Sequence, residues 1–114
     1  MLRTNLEHVE TDQGFKDLLA ENGNVMICCG RMGPMCLPVY YVMEKLQGSY
    51  PDVVFRDMDF DGPAAHNIRR LPQVRSFNGL PFTVYFRDGE VVEATTSIQT
   101  RAQISEILDR CFSD

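Results

Sequence analysis

Four cysteines are the side chains in this sequence best suited to chemistry. Cys28 and Cys29 are adjacent, Cys36 follows after six intervening residues, and Cys111 lies near the end of the chain. Zinc ligands usually come in closely spaced pairs of cysteine or histidine, and this spacing does not provide them. We therefore predict no metal site and no cofactor. A framework of structural disulfides is not expected either in a reducing cytoplasm.

Cys36 is the thiol best placed for redox chemistry. Pro34 suits the first position of a helix, so Cys36 is expected in the first turn, where free N–H groups and the helix dipole stabilise a thiolate. A resolving thiol must lie within about 7 Å between Cα atoms. Cys29 is the best candidate because the turn 30–33 joins its strand to the helix. Cys28 is expected to point to the opposite face, because side chains alternate along a strand.

Two other interpretations of these thiols stay open. In one, Cys28 and Cys29 are core residues of a central strand, and Cys36 packs as a small hydrophobic residue with no thiol to resolve it. In the other, Cys29 and Cys36 join Met32 and Met35 as thiolate and thioether ligands for Cu(I). The two methionines could equally form an apolar rim that grips a partner protein. Cys111 is predicted to pack on the last helix.

The hydrophobic pattern predicts the elements that position these residues. In chain order they are a short strand (5–10), a helix that starts at Thr11-Asp12, a buried strand (25–29), a long helix from Pro34 to near Gly48, a second buried strand (53–58), a short helix (64–70), an irregular segment (71–79), a strand (82–87), a hairpin turn at Asp88-Gly89, a returning strand (91–95) and a last helix from Thr100 to about Phe112. This alternation predicts an α/β fold with a central mixed sheet of four to five strands flanked by helices.

Length and charge exclude several classes of function. The chain of 114 residues is expected to form a single domain spanning 1–114. A formal net charge of −5 makes a nucleic acid an unexpected partner, because phosphate binding needs clustered basic residues. No apolar run is long enough to span a membrane, so no membrane partner is predicted. The first residues lack an apolar signal segment, which predicts a cytoplasmic protein.

The element order resembles that of the thioredoxin family, and several segments carry the resemblance over residues 12–112. Gly33-Pro34 lies where the family has Cys-Gly-Pro-Cys, and residues 57–61 are similar to its strand that ends in an acidic turn. Residues 86–91 match its hairpin turn. Gly79-Leu80-Pro81-Phe82 resembles the family's Gly-Ile-Pro-Thr segment. The resemblance implies a thioredoxin-like fold with a cis Leu80–Pro81 bond opposite the active site.

The chain departs from the family where the chemistry should be, because it contains no Cys-x-x-Cys. If the Gly-Pro pairs are aligned, Met32 and Met35 replace both cysteines. If the buried stripe of the long helix is aligned, Cys36 takes the second cysteine position and Gly33 the first. We favour the second alignment, because a slip of one residue would turn the whole apolar stripe by about 100°. The family's buried acid is also missing; Asp57 either replaces it from the neighbouring strand or points to solvent.

Two functions follow as expectations. The first is an atypical thiol–disulfide oxidoreductase with Cys29 and Cys36 as the catalytic pair, acting on a protein or small-molecule disulfide. The resemblance implies a thioredoxin-reductase-type electron donor. The second is a redox-inactive thioredoxin-fold module that holds a partner protein in the groove beside the cis-proline. The predicted substrate-binding residues are Met32, Gly33, Pro34, Leu80, Pro81 and Phe82.

Overall fold

The computed structural model describes residues 2–113 and shows the predicted order of strands and helices. The elements are β1 (Glu7–His8), α1 (Asp12–Glu21), β2 (Asn24–Gly30), α2 (Leu37–Leu46), β3 (Val54–Asp59), α3 (His66–Arg69), β4 (Phe82–Arg87), β5 (Glu90–Thr96) and α4 (Arg101–Phe112). No helix in this part of the chain is long and apolar enough to cross a lipid bilayer.

A single five-stranded sheet runs through the molecule in the order β1-β3-β2-β4-β5. Strands β1, β3 and β2 are parallel, because α1 and α2 provide the crossover connections. Strand β4 is antiparallel to β2, and β5 returns antiparallel to β4. The return is a tight turn in which Asp88 and Gly89 adopt positive φ angles of 52° and 83°. The mixed sheet predicted from the sequence is therefore confirmed.

Alternating side chains of β2 divide the core into two layers. Met26 and Cys28 face α2 and α4, while Val25, Ile27 and Cys29 face α1 and α3. Residues 25–30 are all buried, as expected for a central strand that is covered on both faces. Burial of both faces makes β2 a rigid base for the loop that follows it.

Side-chain caps set the starts of two helices at the predicted residues. The Thr11 hydroxyl accepts the Gly14 N–H at 2.9 Å, and Thr100 forms a capping box with Gln103. Several boundaries differ from the prediction by one to three residues. β1 pairs only at Glu7–His8, so the first strand is shorter than 5–10. Helix α2 begins at Leu37 rather than Pro34, because the chain first makes a tight turn.

Candidate functional site

Gly30, the last residue of β2, brings two loops of the molecule together. A Cβ atom at Gly30 would lie 2.8 Å from Cys36 Sγ, 2.7 Å from the Tyr40 hydroxyl and 3.1 Å from Pro81 Cβ. Only glycine permits this approach, since real Cβ atoms do not come so close to other heavy atoms. Cys36 and Pro81 therefore lie next to the same residue, and the Leu80–Pro81 bond is cis, the geometry that the resemblance implies.

Cys36 is held inside the molecule at the start of α2. Its side chain is 3% exposed, whereas that of Met35 is 43% exposed, which agrees with the favoured alignment. The Gly33 carbonyl accepts the N–H groups of Cys36 and Leu37 at 3.1 and 3.0 Å. This turn makes Cys36 the N-cap of α2, one position before the predicted first turn. The Arg31 N–H points at Cys36 Sγ from 3.4 Å and can donate to it.

The expectation that Cys29, rather than Cys28, shares a face with Cys36 is wrong. Cys28 belongs to the same core layer as Cys36, and Cys29 belongs to the other layer. The reason is that Gly30 remains in the strand and faces Cys36, so the residue two positions earlier does so too. Thiols whose Cβ vectors point apart cannot bridge without movement of the backbone. The four cysteines, all within residues 2–113, are free thiols.

Burial makes both thiols of β2 poor nucleophiles. Loss of water raises the pKa of Cys29 to about 12, against a smaller lowering by Arg69. Burial also raises the pKa of Cys28 well above its ordinary value, although a hydrogen bond from the Thr83 hydroxyl opposes this. Very little thiolate therefore exists at either position near neutral pH.

The predicted substrate-binding residues are only partly on the surface. Met32, Pro34 and Met35 are exposed, and a side chain at Gly33 would meet no atom within 4 Å. Leu80 is half-buried and Pro81 is buried beside it. We call the surface predicted for Met32, Gly33, Pro34, Leu80 and Pro81 the cis-proline groove.

Phe82 does not line that surface, contrary to the prediction. Its side chain is buried in the layer below, with ring centroids 5.7 Å from Phe60 and 5.9 Å from Phe77. It has this direction because it pairs with Cys29 and shares its face of the sheet. Phe82 therefore supports the cis-proline groove from beneath.

Leu80 carries main-chain groups that the fold leaves unused. Neither its N–H nor its C=O makes a hydrogen bond within residues 2–113. On either side of it, the carbonyls of Gly79 and Pro81 both accept the Ser97 N–H, at 3.1 and 3.0 Å. The loop is thus fixed to the end of β5 while the Leu80 peptide groups stay available to a ligand.

Asp57 is a buried acid on the same side of the sheet as Cys36. It pairs in register with Cys28, and its carboxylate is fully buried. It contacts His8 Nδ1 and accepts a hydrogen bond from the Thr4 hydroxyl. Burial raises the pKa of Asp57, and the bonds from Thr4 and His8 partly offset this rise. The alternative in which Asp57 points to solvent is therefore wrong.

Two arginines that stack on Phe60 were missed by the sequence reasoning. The guanidinium groups of Arg31 and Arg69 lie 5.0 and 5.1 Å from the ring centroid of Phe60. Arg31 is also bound to Asp61 through two hydrogen bonds, of 2.7 and 2.9 Å. The one sequence signal for Arg69 is that no aspartate or glutamate occurs in the segment around it, residues 62–86.

The residues considered for Cu(I) are not brought together. Met32 and Met35 are exposed, whereas Cys29 is buried on the far side of β2 from Cys36. Across residues 2–113, no group of three or more His, Cys, Asp or Glu side chains is arranged to hold a metal ion.

Comparison with known proteins gives a clear result for structure alone. No protein-family model matches the sequence, and no curated protein sequence matches it. Plasmodium falciparum thioredoxin is similar with a TM-score of 0.78 and 13% identity, over 93% of this chain and 99% of that chain. Fasciola hepatica thioredoxin is similar with a TM-score of 0.77 and 20% identity, over 92% of this chain and 98% of that chain. Mitochondrial thioredoxin 3 from Saccharomyces cerevisiae is similar with a TM-score of 0.74 and 21% identity, over 91% of this chain and 94% of that chain. Together with the sheet order and the position of Pro81, these likenesses show that the chain has the thioredoxin fold.

Proposed function

We propose that this chain is a binding module that holds an extended segment of a partner protein in the cis-proline groove. The observation that carries this proposal is that the N–H and C=O of Leu80, in a loop fixed to β5, have no hydrogen-bond partner among the described residues. An extended peptide satisfies such groups by adding a strand-like pairing, in which main-chain bonds supply affinity.

The rim of the groove is suited to adaptable apolar contacts. Met32, Met35 and Leu37 are among the most exposed large apolar side chains, and all three belong to the loop and helix start beside Pro34. Methionine is flexible and polarizable, so it fits partners of different shapes. A partner segment would bury these side chains while its main chain pairs with Leu80.

The thiols argue for binding without disulfide exchange. Gly33 stands at the leading position of the turn, so no thiol occupies the exposed site in front of α2. Cys36 is covered, and Cys29 has a pKa near 12 on the other face of the sheet. Exchange depends on the thiolate fraction and on access to the sulfur; both are low at Cys29, and access is low at Cys36.

A thiol–disulfide oxidoreductase that uses Cys29 and Cys36 is the second candidate. One observation favours it: Cys36 Sγ lies beside Pro81 and receives the Arg31 N–H at the start of a helix. The Cys36 thiolate would attack a substrate disulfide, forming a mixed disulfide and releasing one substrate thiol. Cys29 would then attack the Cys36 sulfur, after movement of the β2 backbone, and release the second thiol. A thioredoxin-reductase-type donor would supply two electrons to restore both thiols.

Peptide affinity of two matched variants tests the binding module. Met32 and Val92 are each 41% exposed, but Val92 lies on β5 near the hairpin turn, at the other end of the strand from the groove. We expect Met32→Glu to weaken binding of extended peptides from a display library about tenfold or more, and Val92→Glu to leave it unchanged. Equal affinities of both variants and the wild type would contradict the proposed groove.

A thiol count separates the two candidates. The binding module predicts that all four thiols remain titratable in the unfolded protein after treatment of the native protein with a mild oxidant. A reversible loss of two thiols, abolished by Cys36→Ser and retained in Cys111→Ser, would support the oxidoreductase instead. Reduction of a small disulfide by the wild type, lost in Cys36→Ser, would do the same.

A further inference from the structure

One stretch of this chain carries positive charge and no carboxylate, in a protein that is acidic as a whole. Residues 62–86 contain Arg69, Arg70 and Arg75 and no aspartate or glutamate, although the chain has a formal net charge of −5. All three arginines are exposed, and none forms an ion pair within residues 2–113. The same segment contains Leu80 and Pro81, whereas Arg70 lies near Gly89 and Glu90 at the hairpin end of the sheet.

Arg69 is the member of this group whose side chain is held in place by an aromatic ring, that of Phe60. Its guanidinium lies 5.1 Å from the centroid of Phe60, and Phe60 contacts Phe82 edge-on at 5.7 Å, directly after Pro81. Stacking on an aromatic ring holds an arginine in place without using its hydrogen-bond donors. Its N–H groups therefore remain available to an acceptor from outside the chain.

The Asp61 carboxylate, on which the charge of Arg69 acts, is already bound by another arginine. Asp61 receives two hydrogen bonds from Arg31, while Arg69 acts on it only through space. Arg31 is thus neutralised by a local partner, and Arg69 has none among the described residues. An unneutralised arginine beside a peptide-binding surface attracts a ligand carboxylate, because planar guanidinium groups match carboxylates in geometry.

We infer that the segment bound in the cis-proline groove is acidic, with a carboxylate side chain that binds Arg69. This inference rests on the proposed function and specifies its ligand. The main chain of the segment pairs with Leu80, and an aspartate or glutamate beside the paired residue reaches over Phe60. Residues 62–86 contribute no carboxylate that would repel such a ligand near Arg69.

Matched peptides test the charge preference. The probes are a short cysteine-free peptide with glutamates at alternate positions and its counterpart with glutamine at each of those positions. We expect the wild type to bind the glutamate peptide about tenfold more tightly at low salt, and the difference to shrink as salt rises. Arg69→Gln should lower the ratio of the two affinities, glutamate peptide to glutamine peptide, toward one without changing the affinity for the glutamine peptide. Arg69→Lys should keep part of the preference for the glutamate peptide.

Arg101→Gln is the control variant. Arg101 is exposed and has no ion pair within the described part of the chain, and it acts on the pKa of Tyr50, in the loop that precedes β3 at the opposite end of the sheet. Its substitution should leave the ratio of affinities for the two peptides unchanged. Equal binding of both peptides by the wild type would overturn the inference and leave the proposed function standing. Binding of neither peptide would overturn both, and an equal loss in the Arg101 variant would show that net charge, not Arg69, sets the preference.

Discussion

Substitution of Gly33 by cysteine tests whether the site lacks only its leading thiol. The Cys36 N–H bonds to the Gly33 carbonyl at 3.1 Å, so the two residues are the ends of a tight turn. Cα atoms at the ends of such a turn are less than about 7 Å apart, which overlaps the range that a disulfide spans. The position is open, and Gly33 is not in the left-handed region, so a side chain fits there. We expect Gly33→Cys to form a disulfide with Cys36.

The size of the effect follows from the short loop that the bond closes. A loop of four residues loses enough chain entropy in the unfolded state to stabilise the fold by about 2 kcal/mol. Since unfolding of a chain of this length has an entropy of about 0.24 kcal/mol/K, the oxidised variant should melt about 8 °C above its reduced form. Thermal melts with and without a thiol reductant measure this difference. The same variant should reduce a small disulfide, with the new thiol as the nucleophile.

Two controls decide how the result is interpreted. Gly48 is also open to a side chain but lies beyond the other end of α2, so Gly48→Cys adds a thiol without a partner. Gly33→Cys combined with Cys36→Ser removes the partner from the turn. Neither control should show a melting point that depends on the reductant. If Gly33→Cys keeps five titratable thiols after oxidation, or if the Cys36→Ser combination behaves in the same way, the assigned geometry of the turn is wrong.

Two further predictions concern the buried parts of the site. Gly30→Ala should lower the free energy of unfolding by about 1–3 kcal/mol in urea denaturation, because its Cβ would clash with Tyr40, Cys36 and Pro81. Gly33→Ala is the control and should change the free energy of unfolding little. Equal effects of the two substitutions would contradict the packing around Gly30. Because the pKa of Asp57 is raised in the folded protein, its contribution to stability is present below its ordinary pKa and is lost as the pH rises through the raised value. The wild type should therefore lose stability relative to Asp57→Asn between acidic and neutral pH, and a constant difference in urea denaturation would contradict the direction of that shift.

The order of elements was predictable because local signals agree with the fold. The continuous apolar run of β2, the caps at Thr11 and Thr100 and the turn at Asp88-Gly89 each act within a few residues. The first strand was predicted too long because its length depends on pairing with β3, which is not a local property.

The candidate site was less predictable, because it depends on contacts between distant segments. Whether Cys28 or Cys29 faces Cys36 depends on where β2 ends and on which face α2 covers, and the sequence pattern of a strand buried on both sides does not distinguish the two. The stacking of Arg31 and Arg69 on Phe60 joins three separate segments, so no local sequence pattern predicts it. Phe82 was assigned to the groove from the resemblance, although strand alternation turns it inward.

Amide hydrogen exchange at Leu80 tests the central claim most directly. In the free protein this N–H has no partner within residues 2–113, and the same holds for the Asp52 N–H at the opposite end of the sheet. With saturating extended peptide, we predict that exchange at Leu80 slows at least tenfold while exchange at Asp52 is unchanged. A peptide that binds without protecting Leu80, or that protects both amides equally, would contradict main-chain pairing in the cis-proline groove.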